Sequence, residues 1–244
     1  MKAGGIVLSY AGLNAGVSGR QPLYGGRFAS HLSLLPPAAV SPFKESAMGL
    51  VDRVKNILLK PRQEWEVIDA EPATVGSLYT GYIMPLAAIP AICQAIGFSV
   101  FGMRLPFVGT WRTPIGSSIT RAVVTYVLTL VGVYVLALII DNLAPTFGGT
   151  RSQIQALKVA AYSYTAAWVV GIFYLLPALS FLGLLGIYSL YLLYLGLPVL
   201  MKSPKEKAFG YTAVVLIVGI VLGVIVAMIA GRFVAGPAMG GFTP

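Results

Sequence analysis

The chain is organised by where charge is missing. Residues 159–201, about 43 in number, contain no Asp, Glu, Lys, Arg or His. As a helix rising about 1.5 Å per residue this run would measure about 65 Å, against about 30 Å of bilayer hydrocarbon, so it must cross a membrane twice. The turn falls at Pro177 in LLPALSFLG, where proline removes a backbone donor and biases Leu176 away from helical geometry. Residues 72–103, 122–140 and 208–231 are also free of charge, and each is long enough for one crossing. The pattern predicts five spanning helices, at about residues 78–101, 122–140, 160–176, 181–201 and 211–230.

Ahead of the spans, GLVDRVKNILLKP has a helical period. Leu50, Val51, Val54, Ile57 and Leu58 form one face, and Asp52, Arg53, Lys55, Asn56 and Lys60 the other, until Pro61 stops the helix. Too short to span, with a basic polar face, it is expected at the cytoplasmic membrane surface or packed against the bundle as a lead-in, and such a helix also suits a partner helix. In RQEWEVIDAEP, Trp65 and Ile68 extend the apolar edge, and Trp65 suits an anchor at headgroup level. Glu64, Glu66, Asp69 and Glu71 are expected to be solvated, and this acidic cluster is where a basic partner would be recognised.

Residues 1–47 are rich in Gly, Ser, Ala and Pro and show no sustained period, so an ill-ordered extension is expected. Gly and Ser interrupt the apolar core that a signal peptide needs, and translation starting at Met48 is an alternative. The domain plan is therefore 1–47 extension, 48–71 cytoplasmic amphipathic segment and 72–244 membrane domain.

Composition narrows the class. With 57% hydrophobic and 10% charged residues and a mean hydropathy of +0.82, a soluble globule of this size would lack polar surface. Continuously apolar runs exclude the alternating strands of a membrane barrel, leaving an all-α polytopic integral membrane protein. Arg53, Lys55, Lys60, Arg62, Arg151, Lys158, Lys202, Lys205 and Lys207 would face the cytoplasm if the N-terminus does, against Arg104, Arg112, Arg121 and Arg232 outside. That bias favours N-in, C-out. The net charge of +9 then reflects topology and attraction to anionic lipid, and no basic stripe interleaved with aromatics suggests nucleic acid.

Between helices in lipid, association depends on close packing, for which small residues at four-residue spacing are the sign. Ala87, Ala91, Ala95 and Ser99 make one stripe, Ser163, Ala167 and Gly171 another, and Gly219 with Gly223 a GxxxG. Packing within one chain is their common use, and pairing between copies or with another protein the alternative. Pro85 and Pro90 should bend the first span. Tyr162, Tyr164, Tyr174, Tyr188, Tyr191 and Tyr194 need partners for their hydroxyls wherever they enter hydrocarbon. Tyr188 and Tyr191 share a face, as do Tyr164 and Trp168. Interhelical contacts are the leading reading, and a lipid or isoprenoid groove lined by these rings the other.

Groups for chemistry are sparse. The one histidine is His31, in the extension, and the one cysteine is Cys93, in the first span, so no His/Cys metal site, disulfide or Ser/His or Cys/His pair is expected, and no cofactor. Asp141, at the end of the second span, is the acid nearest the membrane interior. A proton- or ion-coupled transporter normally needs an ionisable residue at mid-membrane, and the spans offer none. FGGT, at 147–150, lacks the Lys-Ser/Thr of a phosphate loop and reads as a turn.

The segments LVDRVKNILLKPRQEWEVIDAEPAT, SLYTGYIMPLAAIP, AAYSYTAAWVVGIFYLLPAL and GLLGIYSLYLLYLGLPVLMKSPKEKAFGYT resemble the bacterial branch of the Yip family, the Ypt/Rab-interacting membrane proteins, over about residues 48–230. The most telling pieces are Tyr162 and Tyr164 at the entry to the third span and the exit of the fourth. Many relatives have a proline after the second tyrosine, where Ala166 and Ala167 stand here. The resemblance implies a non-enzymatic five-helix domain with a cytoplasmic N-terminus, and eukaryotic members bind prenylated Rab-type GTPases. A GTPase partner is not carried over, because a shared fold does not transfer a binding site.

The expected function is membrane association through helices, as a scaffold, partner-binding or bilayer-organising protein, with Trp65, Tyr162, Tyr164, Tyr188, Tyr191, Gly219 and Gly223 as the candidate interface. The alternative is a permease or lipid-handling subunit.

Overall fold

The computed structural model describes residues 49–105, 109–232 and 242–243, with side chains described for 49–102 and 112–232. The expectations for residues 1–47, His31 among them, lie outside the described residues.

Two short helices come first, α1 (Leu50–Leu59) and α2 (Pro61–Ala70). Pro61 ends one and opens the other: it has no N–H to donate into α1, while its fixed φ suits the first position of α2. Thr74 then caps the first span through a capping box with Ser77, which satisfies two donors at the helix start.

Five helices long and apolar enough to cross a membrane follow: Val75–Phe101, Ile115–Phe147, Gln153–Leu175, Pro177–Leu200 and Lys205–Arg232. All five expected spans are present. The second begins seven residues before the expected position 122 because a charge marks where a helix leaves the hydrocarbon, not where its hydrogen bonding starts. The turn at Pro177 is where it was expected, with Leu176 extended at φ −112°, ψ 103°. Three short strands, Met103–Leu105, Gly109–Trp111 and Phe242–Thr243, pair antiparallel beside the link between the first two spans. They leave the architecture all-helical across the membrane.

The spans are not uniform helices. In the first, Pro85 cannot donate to its preceding turn, and the ladder widens over Tyr79–Ile83, where the Met84 N–H reaches back five residues to the Tyr79 carbonyl. Such a π-turn absorbs the register lost to proline. Another covers Gly97–Phe101. The third span is interrupted at Tyr164, between Gln153–Ser163 and Thr165–Val170. No proline is needed there: the Thr165 hydroxyl donates to the Tyr162 carbonyl at 2.7 Å, a local side-chain bond that competes with the helical ladder. The hairpin around Pro177 is wound as 3-10 helix over Gly171–Leu175 and Pro177–Ile187.

The third span is the hub. In its most apolar window 67% of residues are buried within the protein, against 11% to 28% for the others. It is also the least apolar of the five, with a mean hydropathy of 1.3 against 3.2 for the fifth, as suits a helix that meets other helices more than lipid. The first span crosses it closely. A Cβ at Gly171 would lie 2.6 Å from the Pro90 Cβ, and one at Gly97 would lie 2.1 Å from the Tyr174 carbonyl oxygen. The small-residue stripe expected on the third span is thus used inside the chain at Gly171. The fifth span exposes Ile217, Ile220, Val221, Val224 and Met228, a surface matched to lipid tails.

Candidate functional site

The α1–α2 hairpin does not lie loosely on the membrane. It is fastened to the bundle by charges that the sequence reading assigned to solvent. Arg53 is 4% exposed and Glu64 4%. The Arg53 guanidinium donates to Glu64 Oε1 at 2.5 Å and also to Glu71 Oε2. This corrects two expectations: Arg53 is not on a solvated polar face, and Glu64 is not a solvated acid. Val51 and Leu59 are conversely exposed, so the buried stripe of α1 runs through Arg53 and Ile57 rather than along every apolar position.

Lys158, near the start of the third span, completes the junction. Its ammonium, in a side chain buried with the residue at 3% exposure, donates to the Ile68 carbonyl at 2.7 Å and the Glu71 carbonyl at 2.5 Å. These carbonyls belong to the last turn of α2 and its C-cap, where helical acceptors lack partners and the macrodipole favours a cation. Gln155 donates to both the backbone carbonyl and the carboxylate of Asp69, and Lys202, after the fourth span, pairs with the same carboxylate. Two buried cations and the carboxylates of Glu64 and Glu71 thus balance. That balance is what a dry junction requires, since an uncompensated buried charge is costly.

An aromatic cluster lies directly beneath. Tyr162 receives the Arg53 guanidinium over its ring at 5.9 Å, packs against Tyr82 at 4.4 Å between centroids, and meets Trp65 edge-on at 6.3 Å. The Tyr82 hydroxyl and Thr165 Oγ1 are 2.7 Å apart. Trp65 is wholly buried, which corrects its assignment as a headgroup-level anchor. Tyr188 donates to the Leu58 carbonyl at 3.0 Å, tying the fourth span to α1, and its ring lies 5.4 Å from that of Tyr191, which remains exposed.

The other candidates divide. Tyr164 stacks on Trp168 at 5.8 Å, and its hydroxyl faces Gly219, where an added Cβ would lie 3.7 Å away. Gly223 has open space in front of it. Tyr164 also borders a crevice of about 240 Å³ among the third, fourth and fifth spans, with Ser163, Ser189 and Leu193 along its walls. Ser163 Oγ is buried without a hydrogen-bond partner among the described residues. Asp141 is paired with Arg151 at 3.6 Å, and FGGT forms a turn with Gly148 left-handed at φ +73°. Among the described residues no group of three or more His, Cys, Asp or Glu could hold a metal ion.

An all-helical domain of five spans with an amphipathic hairpin locked to one end defines a polytopic integral membrane protein of the Yip type. The chain belongs to the Yip1 domain family, whose family model matches residues 55–227. It is 28% identical over 183 residues to the inner membrane protein YohC of Escherichia coli K12, covering 73% of this chain and 94% of the relative. The same figures hold for the protein of that name in Escherichia coli O6:H1. No solved structure matches the chain at a significant level. The junction itself was not foreseen, although its parts were visible as the one acidic cluster of the chain and a lysine at the edge of a charge-free run.

Proposed function

We propose that this chain is a non-enzymatic protein of the bacterial inner membrane that acts by association through its helices, as a scaffold or organiser of the bilayer. The observation that carries the reading is the use made of the buried ionisable groups. Arg53 is paired with Glu64 and Glu71 inside the hairpin, and Lys158 bonds the carbonyls at the end of α2, so these groups close the hairpin and fasten it to the bundle rather than present reactive groups to a pocket. The name of the Escherichia coli relative supports the inner membrane. The α2 end of the bundle, joined by Lys202–Asp69 and Gln155–Asp69, gathers most of the Lys and Arg, which supports N-in, C-out. The open face at Gly223 supports pairing with a second helix. Crosslinking in native membranes through cysteines placed along that face tests the reading: reproducible adducts are expected, and recovery of monomer alone, with unchanged vesicle shape on reconstitution, overturns it.

A second reading, a lipid-handling or permease subunit, is favoured by the crevice beside Tyr164 with its unpartnered Ser163 hydroxyl. Its test is flux or lipid exchange in proteoliposomes, which Gly219→Leu should block by filling the crevice.

A further inference from the structure

A second cavity, of about 350 Å³, opens where the fourth span ends and the fifth begins, beneath α2. Arg62 and Glu66 of α2 and Lys205 of the fifth span lie around it, with Trp65, Tyr194 and Pro198 along its walls. Arg62 and Lys205 take part in no ion pair among the described residues, unlike Arg53, Arg151 and Lys202. Trp65 closes the inner side of the wall and is itself wholly buried. Lys205 also opens a helix of 28 residues, whose first N–H groups and dipole favour an anion.

We propose that this cavity is a binding site for an anionic glycerophospholipid. Its phosphate would sit between Arg62 and Lys205, and an acyl chain would follow the wall formed by Tyr194 and Pro198. Two cations against the single carboxylate of Glu66 give the cavity a net positive charge, which selects an anionic headgroup over a zwitterionic one. The position selects a lipid over a soluble anion: the cavity lies where two spans emerge from the hydrocarbon, and most of its wall is apolar. A charge-assisted pair of donors to one phosphate suffices for a clear preference.

The test is native mass spectrometry of the full chain released from detergent, titrated with phosphatidylglycerol, phosphatidylcholine, glycerol 3-phosphate and inorganic phosphate. Phosphatidylglycerol is expected to bind about tenfold more tightly than phosphatidylcholine, and Arg62→Gln with Lys205→Gln to erase that preference. Lys55→Gln with Lys60→Gln, which removes equal charge from α1 and its C-cap, should preserve it. Equal affinity for the two lipids, equal loss in the α1 control, or glycerol 3-phosphate or phosphate binding as tightly as the lipid would each overturn the proposal.

Discussion

Gly196 of the fourth span and Trp65 of α2 are in direct contact, with no room for a side chain between them: a Cβ on residue 196 would lie 2.7 Å from Trp65 Cζ2 and 2.9 Å from Cε2. The indole rests on bare helix backbone, and this lets the α1–α2 hairpin sit low enough for Arg53 of α1 to reach Tyr162. Gly196→Ala gains helix propensity, about 0.5–1 kcal/mol, but the clash falls on three atoms of a buried ring that has nowhere to go. We expect net destabilisation of about 1–3 kcal/mol, read as a lower melting temperature in detergent; an unchanged or higher one would show that α2 docks elsewhere.

A paired experiment separates close approach from mere glycine content. Gly97→Ala would drive its Cβ into the Tyr174 carbonyl, whereas Gly132 of the second span has nothing within 4 Å of an added Cβ. Gly97→Ala should strongly lower the yield of folded protein. Gly132→Ala should be neutral, or stabilising by up to about 1 kcal/mol. Similar effects from the two would contradict the packing of the first span against the third.

The ionic junction predicts strong coupling. Arg53→Ala leaves the Glu64 carboxylate buried without its partner and is expected to cost about 3–5 kcal/mol. The double variant with Glu64→Ala should cost less than the sum of the two single variants, by about 1–3 kcal/mol. Additive losses in a double-mutant cycle would mean that the two groups act independently. Limited proteolysis offers a local readout, because release of α1–α2 should open the buried Arg53 to cleavage before the spans are lost.

Gly219 and Gly223 fit a GxxxG pattern by spacing, yet a Cβ added at Gly219 would touch the Tyr164 hydroxyl, whereas one at Gly223 would meet nothing within 4 Å, in a small space beside the second span. Gly223→Ile should therefore leave the melting temperature unchanged while reducing crosslinking between copies. If thermal stability falls instead, this face is used inside the chain.

The membrane architecture was legible because each span lacks charge over a length that water does not tolerate, and Pro177 marked a turn by removing a donor. The junction was not legible, because Arg53 meets Glu64 and Glu71 only when α1 folds on α2, and Lys158 meets the end of α2 only when the hairpin docks on the third span. Read one at a time, such side chains look solvated, and Trp65 looks interfacial for the same reason. Arg121 shows the converse error. Taken as a boundary, it hid the helix that begins at Ile115. The break at Tyr164 was hidden too, because it is made by the Thr165 hydroxyl rather than by proline. Of the candidate residues, Tyr162 and Trp65 belong to one cluster, while Gly223 lies away from it, beside the second span.

The enclosure of the third span bears on how the chain is made. Its mean hydropathy of 1.3 gives it the weakest preference for lipid of the five, and it has Lys158 to accommodate near one end. Membrane insertion of this segment is best served when earlier segments remain close to it as it emerges from the ribosome, so that Pro90 and Glu71 are on hand to receive Gly171 and Lys158. Biogenesis then becomes a cooperative step, in which the protein's own neighbouring helices supply the solvent that its most polar span needs.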